Sequence, residues 1–196
     1  MASALIMTGP LWFFTPIQVA TTVIAGMNCG ASTLQSPLTW PLLQDEAIPA
    51  QYSGKQTEWL LHGSEIIFPP FNGVCTVANL VMAAYCYYKR NDGLATSAIA
   101  SAKLPYTALA FALHVATTVY TLTIMAPYNQ KLKVASRKIN ASVEKGEEKS
   151  SATQQEGIRE FRDAQAVWKA RNYGRGAVML AAAVANAVAL KVSAGL

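Results

Sequence analysis

The sequence predicts an all-α fold: an integral membrane four-helix bundle, with a long polar loop and an extended amphipathic helix before the fourth span. Two observations carry this expectation. Of the 196 residues, 52% are hydrophobic and only 14% are charged, where a soluble domain has roughly a quarter charged. The charges are also segregated. Residues 1–44 contain no Lys, Arg, Asp or Glu, and most basic residues lie between Lys131 and Arg175. Helices of a soluble core alternate apolar and charged faces, whereas long uncharged runs joined by polar connections suit hydrocarbon.

A window of about 19 residues picks out four spans. Residues 11–32 are uncharged, with Trp12, Phe13 and Phe14 placed for an interfacial belt. This run reads as a retained first span rather than a secretory signal, since it lacks a positive n-region and exceeds a typical h-region. Residues 66–88 are uncharged and end in Tyr85, Tyr87 and Tyr88, followed by Lys89 and Arg90. Residues 104–128 are uncharged apart from the titratable His114, and Lys103 is placed to snorkel at their start. Residues 173–194 are rich in Ala and Val between Arg175 and Lys191, and need their flanks to reach the roughly 20 residues of a span. Cys29, Cys75 and Cys86 sit in or at the ends of these runs; an odd number there indicates packing residues rather than a disulfide framework. Residues 1–196 read as one domain.

The connections differ in character. Residues 33–57 form a loop with Pro37, Pro41 and Pro49 and the acidic pair Asp45 and Glu46. A short turn joins spans two and three. Residues 129–152 form a solvated loop of mixed charge centred on EKGEEKSS, and the pattern Ile158, Phe161, Gln165, Trp168 then keeps helical period into the fourth span. The positive-inside rule places the third connection in the cytosol. The sequon Asn140-Ala141-Ser142 in the same connection argues for the lumen.

Polar side chains converge on one level of this topology. Spans one and three end, and spans two and four begin, on the same side of the membrane. Asn28, His62, Glu65, Tyr128, Asn129, Asn172 and Arg175 therefore share a depth, and the expectation is a common polar pocket. Ionisable residues inside spans are costly and mark function, although an ion pair, an interhelical bond or a snorkelling anchor would explain each singly. Pro69 and Pro70 should break the second span just inside the membrane, as irregular backbone lining a cavity does, and Pro127 should do the same in the third. A two-histidine, one-carboxylate metal site would need His62, Glu65 and His114. His114 lies about 14 residues too deep, roughly 20 Å of helix, so no metal site is expected, and His114 should bond a backbone group or Thr117 or Thr118. No dinucleotide fingerprint, haem-attachment motif or nucleophile elbow is present, and no interleaved aromatic and basic pattern points to nucleic acid.

Three stretches carry a family resemblance. TEWLLHGSEIIFPP, TLTIMAPYNQKL and WKARNYGR resemble the signatures of the anthrone oxygenase family, small four-span membrane proteins common in fungal polyketide clusters. His62 stands where that family has an aromatic residue. The resemblance implies oxidation of an anthrone to an anthraquinone by O₂ without a bound cofactor. In that chemistry His62 would be the base, Glu65 would orient or charge it, and Arg175 would stabilise the developing oxyanion. Asn129 and Asn172 would position phenolic oxygens, with Asn28 also on the substrate and Trp59 and Trp168 as pocket walls. The implied partners are a hydrophobic aromatic small molecule, O₂ and membrane lipid, in the endoplasmic reticulum or another endomembrane. Two other readings fit the residues: a membrane-embedded cyclase, dehydratase or isomerase using the same acid and base, and a non-enzymatic four-helix scaffold.

Overall fold

The computed structural model describes residues 13–36, 45, 47–144 and 152–193. Every element among them is helical: α1 (Phe14–Leu34), α2 (Ala50–Lys89), α3 (Leu94–Tyr120), a π-helical turn (Thr121–Met125), α4 (Ala126–Glu144) and α5 (Ala152–Ser193). Trp12, Pro37, Pro41, Glu46 and residues 145–151, singled out above, lie outside the described residues.

Three helical stretches are long and apolar enough to cross a membrane: Ala50–Lys89, Thr96–Ala141 and Gln154–Val192. They coincide with the second, third and fourth expected spans but far outrun them. At 1.5 Å per residue a 40-residue helix such as α2 is about 60 Å long, roughly twice the hydrocarbon core. The first expected span forms a 21-residue helix but is not among the three. Gln18, Thr21, Thr22, Asn28 and Ser32 dilute its apolar content, which absence of charge alone did not reveal.

Two further expectations are corrected. Pro69 and Pro70 lie inside an unbroken α2. Ending the helix would strand four donors and four acceptors, a larger loss than the bonds the prolines remove. The stretch from residue 129, expected as a loop, is helical to Glu144. Met125, Leu132 and Ile139, spaced by seven, give α4 a buried seam despite its charge. The π turn falls immediately before Pro127, whose missing N–H would otherwise bond Thr123. There the ring widens, and the Ala126 N–H donates to the Thr121 carbonyl.

The chain divides into two compact units. One, the apolar unit, comprises Met1–Gly30, Pro69–Thr118 and Ala177–Leu196. Its core joins Phe14, Met82, Cys86 and Ala100, with Tyr85 packed edge-on against Phe13 at 5.3 Å between ring centroids. The three cysteines are buried here, and none of them is in a disulfide among the described residues. The other, the charged unit, comprises Ala31–Phe68 and Val119–Gly176. Leu61, Met125, Leu132, Ile139, Phe161 and Trp168 form its core.

Candidate functional site

In the charged unit the buried stripe of α5 runs Phe161, Gln165, Trp168, Asn172, Arg175. This three-and-four spacing defines one helical face, yet three of its five members are polar. A buried polar group must find partners or cost stability, and Gln165 and Asn172 reach across to other segments while Arg175 bonds within α5. Gln165 Nε2 donates to Thr57 Oγ1 at 3.1 Å and Ser53 Oγ at 3.4 Å, both on α2.

One turn on, Trp168 is 1% exposed and its indole Nε1 donates to Asn129 Oδ1 of α4 at 2.7 Å. Asn129 Nδ2 donates in turn to Glu65 Oε1 of α2 at 3.3 Å, and Lys133 Nζ reaches Glu65 Oε2 at 2.6 Å. Four residues on three helices thus form one hydrogen-bonded chain.

A second cluster sits at the next turns of α5. Asn172 Nδ2 donates to the Ser32 carbonyl at 2.8 Å and Ser36 Oγ at 2.9 Å, and Arg175 Nη2 donates to Asn172 Oδ1 at 2.6 Å. Arg175 is 6% exposed, and its buried Nε has no hydrogen-bond partner among the described residues. The flanking glycines let other helices in close. A Cβ on Gly174 would lie 2.6 Å from the Tyr120 hydroxyl, and one on Gly176 would lie 2.6 Å from Thr33 Oγ1. The Tyr120 hydroxyl donates to the Arg171 carbonyl at 3.0 Å.

His62 belongs to neither cluster. It is exposed and lines an open groove of about 380 Å³ with Lys55, Glu58, Trp59, Lys133 and Arg137. Trp59 stands 77% exposed at its edge. Arg137 pairs with Glu58 at 2.9 Å across the groove. Glu65, expected to orient His62, instead gives both carboxylate oxygens to Asn129 and Lys133. Lys133 links the groove to the Glu65–Asn129–Trp168 chain, because it both lines the groove and holds Glu65.

The shared pocket expected from depth therefore resolves into separate places. Glu65, Asn129 and Trp168 are joined; Asn172 and Arg175 are joined; His62 and Trp59 face the groove. Asn28 is buried in the apolar unit, its Oδ1 without a hydrogen-bond partner among the described residues. The amide groups of Asn129 and Asn172 are occupied by protein partners rather than open to a ligand. Trp168 is a core ring, and Trp59 alone of the two tryptophans is open to a ligand.

The apolar unit holds a polar centre that the sequence reading missed. His114 Nδ1 faces Asn72 Oδ1 at 2.8 Å, and Asn72 Nδ2 donates to the His114 carbonyl at 3.0 Å and Thr118 Oγ1 at 2.8 Å. With the Asn72 amide nitrogen so engaged, its oxygen is the acceptor, which makes Nδ1 the protonated nitrogen. Nε2 is then left to accept from Asn186 Nδ2 at 3.3 Å. Lys103, expected to snorkel, is 1% exposed and donates to Gln18 Oε1 at 2.5 Å and the Ala189 carbonyl at 3.4 Å. A window that averages hydropathy hides these groups. The usable signal was asparagine recurring on apolar stripes, as at Asn72 and Asn79, seven apart on α2. Among the described residues no three His, Cys, Asp or Glu side chains are grouped to hold a metal ion.

The anthrone oxygenase family model matches residues 58–185, more than half of the chain. This chain belongs to the anthrone oxygenase family. No curated protein and no solved structure matches it. The matched region holds nearly all of the three stretches quoted above, and one hydrogen-bonded chain ties them together. Glu65 comes from the first, Asn129 from the second and Trp168 from the third.

Proposed function

We propose that this anthrone oxygenase family member oxidises an anthrone-type polyketide to the anthraquinone with O₂, using no bound cofactor, at the groove of the charged unit. The observation that supports this most is the bonding of Glu65, Asn129 and Trp168 into one chain that braces Lys133 at the groove. Residues distant in sequence but alike in family signature are thereby held in fixed geometry beside an open, aromatic-edged and cationic surface.

The chemistry suits these groups. Loss of a proton from the anthrone methylene makes the central ring aromatic, so a positioned base suffices to start the reaction. His62 takes that proton. Lys133 and Arg137, both lining the same groove, lower the energy of the resulting anion. The anion gives one electron to O₂; the carbon radical and superoxide combine, and the peroxide takes a proton back from His62. Loss of the second methylene proton with cleavage of the O–O bond leaves the new carbonyl and one water. One atom of O₂ enters the product and the other becomes water. Trp59 offers an exposed ring face for a flat substrate arriving from the membrane surface.

The test is oxygen uptake by purified protein on emodin anthrone, with mass analysis in ¹⁸O₂. One labelled oxygen per quinone, and no product under argon, is the expected outcome. Equal product formation under argon would overturn the oxygenase reading and favour a non-redox acid–base enzyme.

A further inference from the structure

The geometry points to a second ligand-binding element in the charged unit: Arg175 is an interior receptor for a planar aromatic anion. The inference starts from electrostatics. A guanidinium taken out of water costs several kcal/mol unless a counter-charge offsets it, and Arg175 is 6% exposed. Among the described residues it makes no ion pair. Three of the unit's carboxylates are paired elsewhere, Glu65 with Lys133, Glu58 with Arg137 and Glu160 with Lys138. Its one hydrogen bond goes to a neutral amide oxygen, Asn172 Oδ1, and its Nε–H lies buried with nothing to receive it.

The arrangement is nevertheless built rather than incidental. Asn172 is itself fixed by Ser32 and Ser36, so one face of the guanidinium is pinned. Gly174 and Gly176, on either side of Arg175, admit Tyr120 and Thr33 to distances no side chain would allow. A pinned cation with an unused donor is a receptor for an oxyanion. The neighbouring Phe68 ring, centred 5.9 Å from the guanidinium carbon, favours a flat aromatic carrier over a small inorganic ion.

This deepens the proposed function and rests on it for the ligand class. The receptor takes a hydroxylated tricyclic ligand as its phenolate, enolate or ring carboxylate, and discriminates against neutral analogues. The experiment reads binding rather than turnover, so it can fail independently of the oxygenase reading. The full chain in detergent is titrated with a hydroxyanthraquinone carboxylate and, separately, with its methyl ester, following the melting temperature. The carboxylate should raise it and the ester should not. Arg175→Gln keeps a donor toward Asn172 while removing the charge. Without ligand it should melt at or above the parent temperature, because an uncompensated buried charge is gone. It should bind the carboxylate about tenfold or more weakly, whereas Arg175→Lys retains part of the shift.

An unchanged carboxylate shift in Arg175→Gln overturns the proposal. So does equal stabilisation by ester and carboxylate. Equal stabilisation by chloride or formate overturns the aromatic specificity. Loss of oxygen uptake on anthrones with these binding results intact would leave the receptor standing and remove only the reaction assigned to it.

Discussion

The two units bury the same kinds of polar atom and use them differently. In the apolar unit, His114 has a partner on each ring nitrogen, and Lys103 reaches two carbonyl oxygens. Its only ion pair among the described residues is the exposed Lys89–Asp92 contact at a helix end. In the charged unit, among the described residues, three interhelical ion pairs rim the surface, while Arg175 keeps an unused donor and His62 stands exposed at the groove. A satisfied imidazole specifies packing, although the apolar unit too buries orphaned oxygens among the described residues, Asn28 Oδ1 and Asn79 Oδ1; an unused cationic donor leaves capacity for an anionic ligand. On the proposed function, the chemistry belongs to the second unit.

That division can be broken most sharply at the two histidines. His62→Ala should lower turnover about a hundredfold or more, as loss of a general base does, with the melting temperature unchanged because the side chain is exposed. Oxygen uptake beside a thermal melt reads both quantities. A melt lowered as much as the rate would erase the distinction.

The converse variant is His114→Ala. It strands Asn72 Oδ1 and the Asn186 amide inside the protein and should cost about 2–4 kcal/mol of stability. Turnover per folded molecule should stay at the parent value. Urea unfolding in detergent, with activity normalised to folded protein, would show a catalytic role if the rate fell instead.

A smaller effect is expected where the chain meets the groove. Trp168→Phe keeps the core volume but removes the donor to Asn129 Oδ1, costing about 1–2 kcal/mol. Because Asn129 then holds Glu65 less firmly, kcat should fall by about tenfold with little change in KM. A KM rise with kcat intact would mean that Trp168 contacts the substrate directly.

Least of all should follow from removing the Lys138–Glu160 pair. It is 3.9 Å long between two side chains that are mostly exposed, and such contacts contribute little. Lys138→Ala and Glu160→Ala, alone or together, should leave the melt and the rate indistinguishable from the parent. A clear coupling between them would show that the rim stabilises this unit.

How legible these features were follows from what each leaves in the sequence. Spans two to four were readable because charge is absent over long windows, as in residues 66–88. Charge counting overstated α1, since Gln18 and Asn28 are uncharged and still polar. It understated α4, where Lys131, Lys133, Arg137 and Lys138 mask a seam of Met125, Leu132 and Ile139. Depth counting placed Glu65 and Asn129 at one level, and the structure joins them; Trp168, expected only as a pocket wall, donates into the same chain. It could not tell which way a side chain faces around a helix, so His62 and Arg175 were put into one pocket. It also paired Glu65 with its sequence neighbour His62, whereas Lys133 on another helix takes the carboxylate.

The widened turn at Thr121–Met125 has a consequence for the helix beyond it. Upstream the inward residues are Ala110, His114 and Thr117; downstream they are Met125, Asn129 and Leu132. An unbroken 3.6-residue pitch would carry the first series to residues 124, 128 and 131. Tyr128 and Lys131 would then turn inward in place of Asn129. A single extra residue in the turn offsets the phase by about 100° and delivers the asparagine to Trp168. Deleting one residue in this stretch would therefore turn Asn129 away from the Trp168 indole.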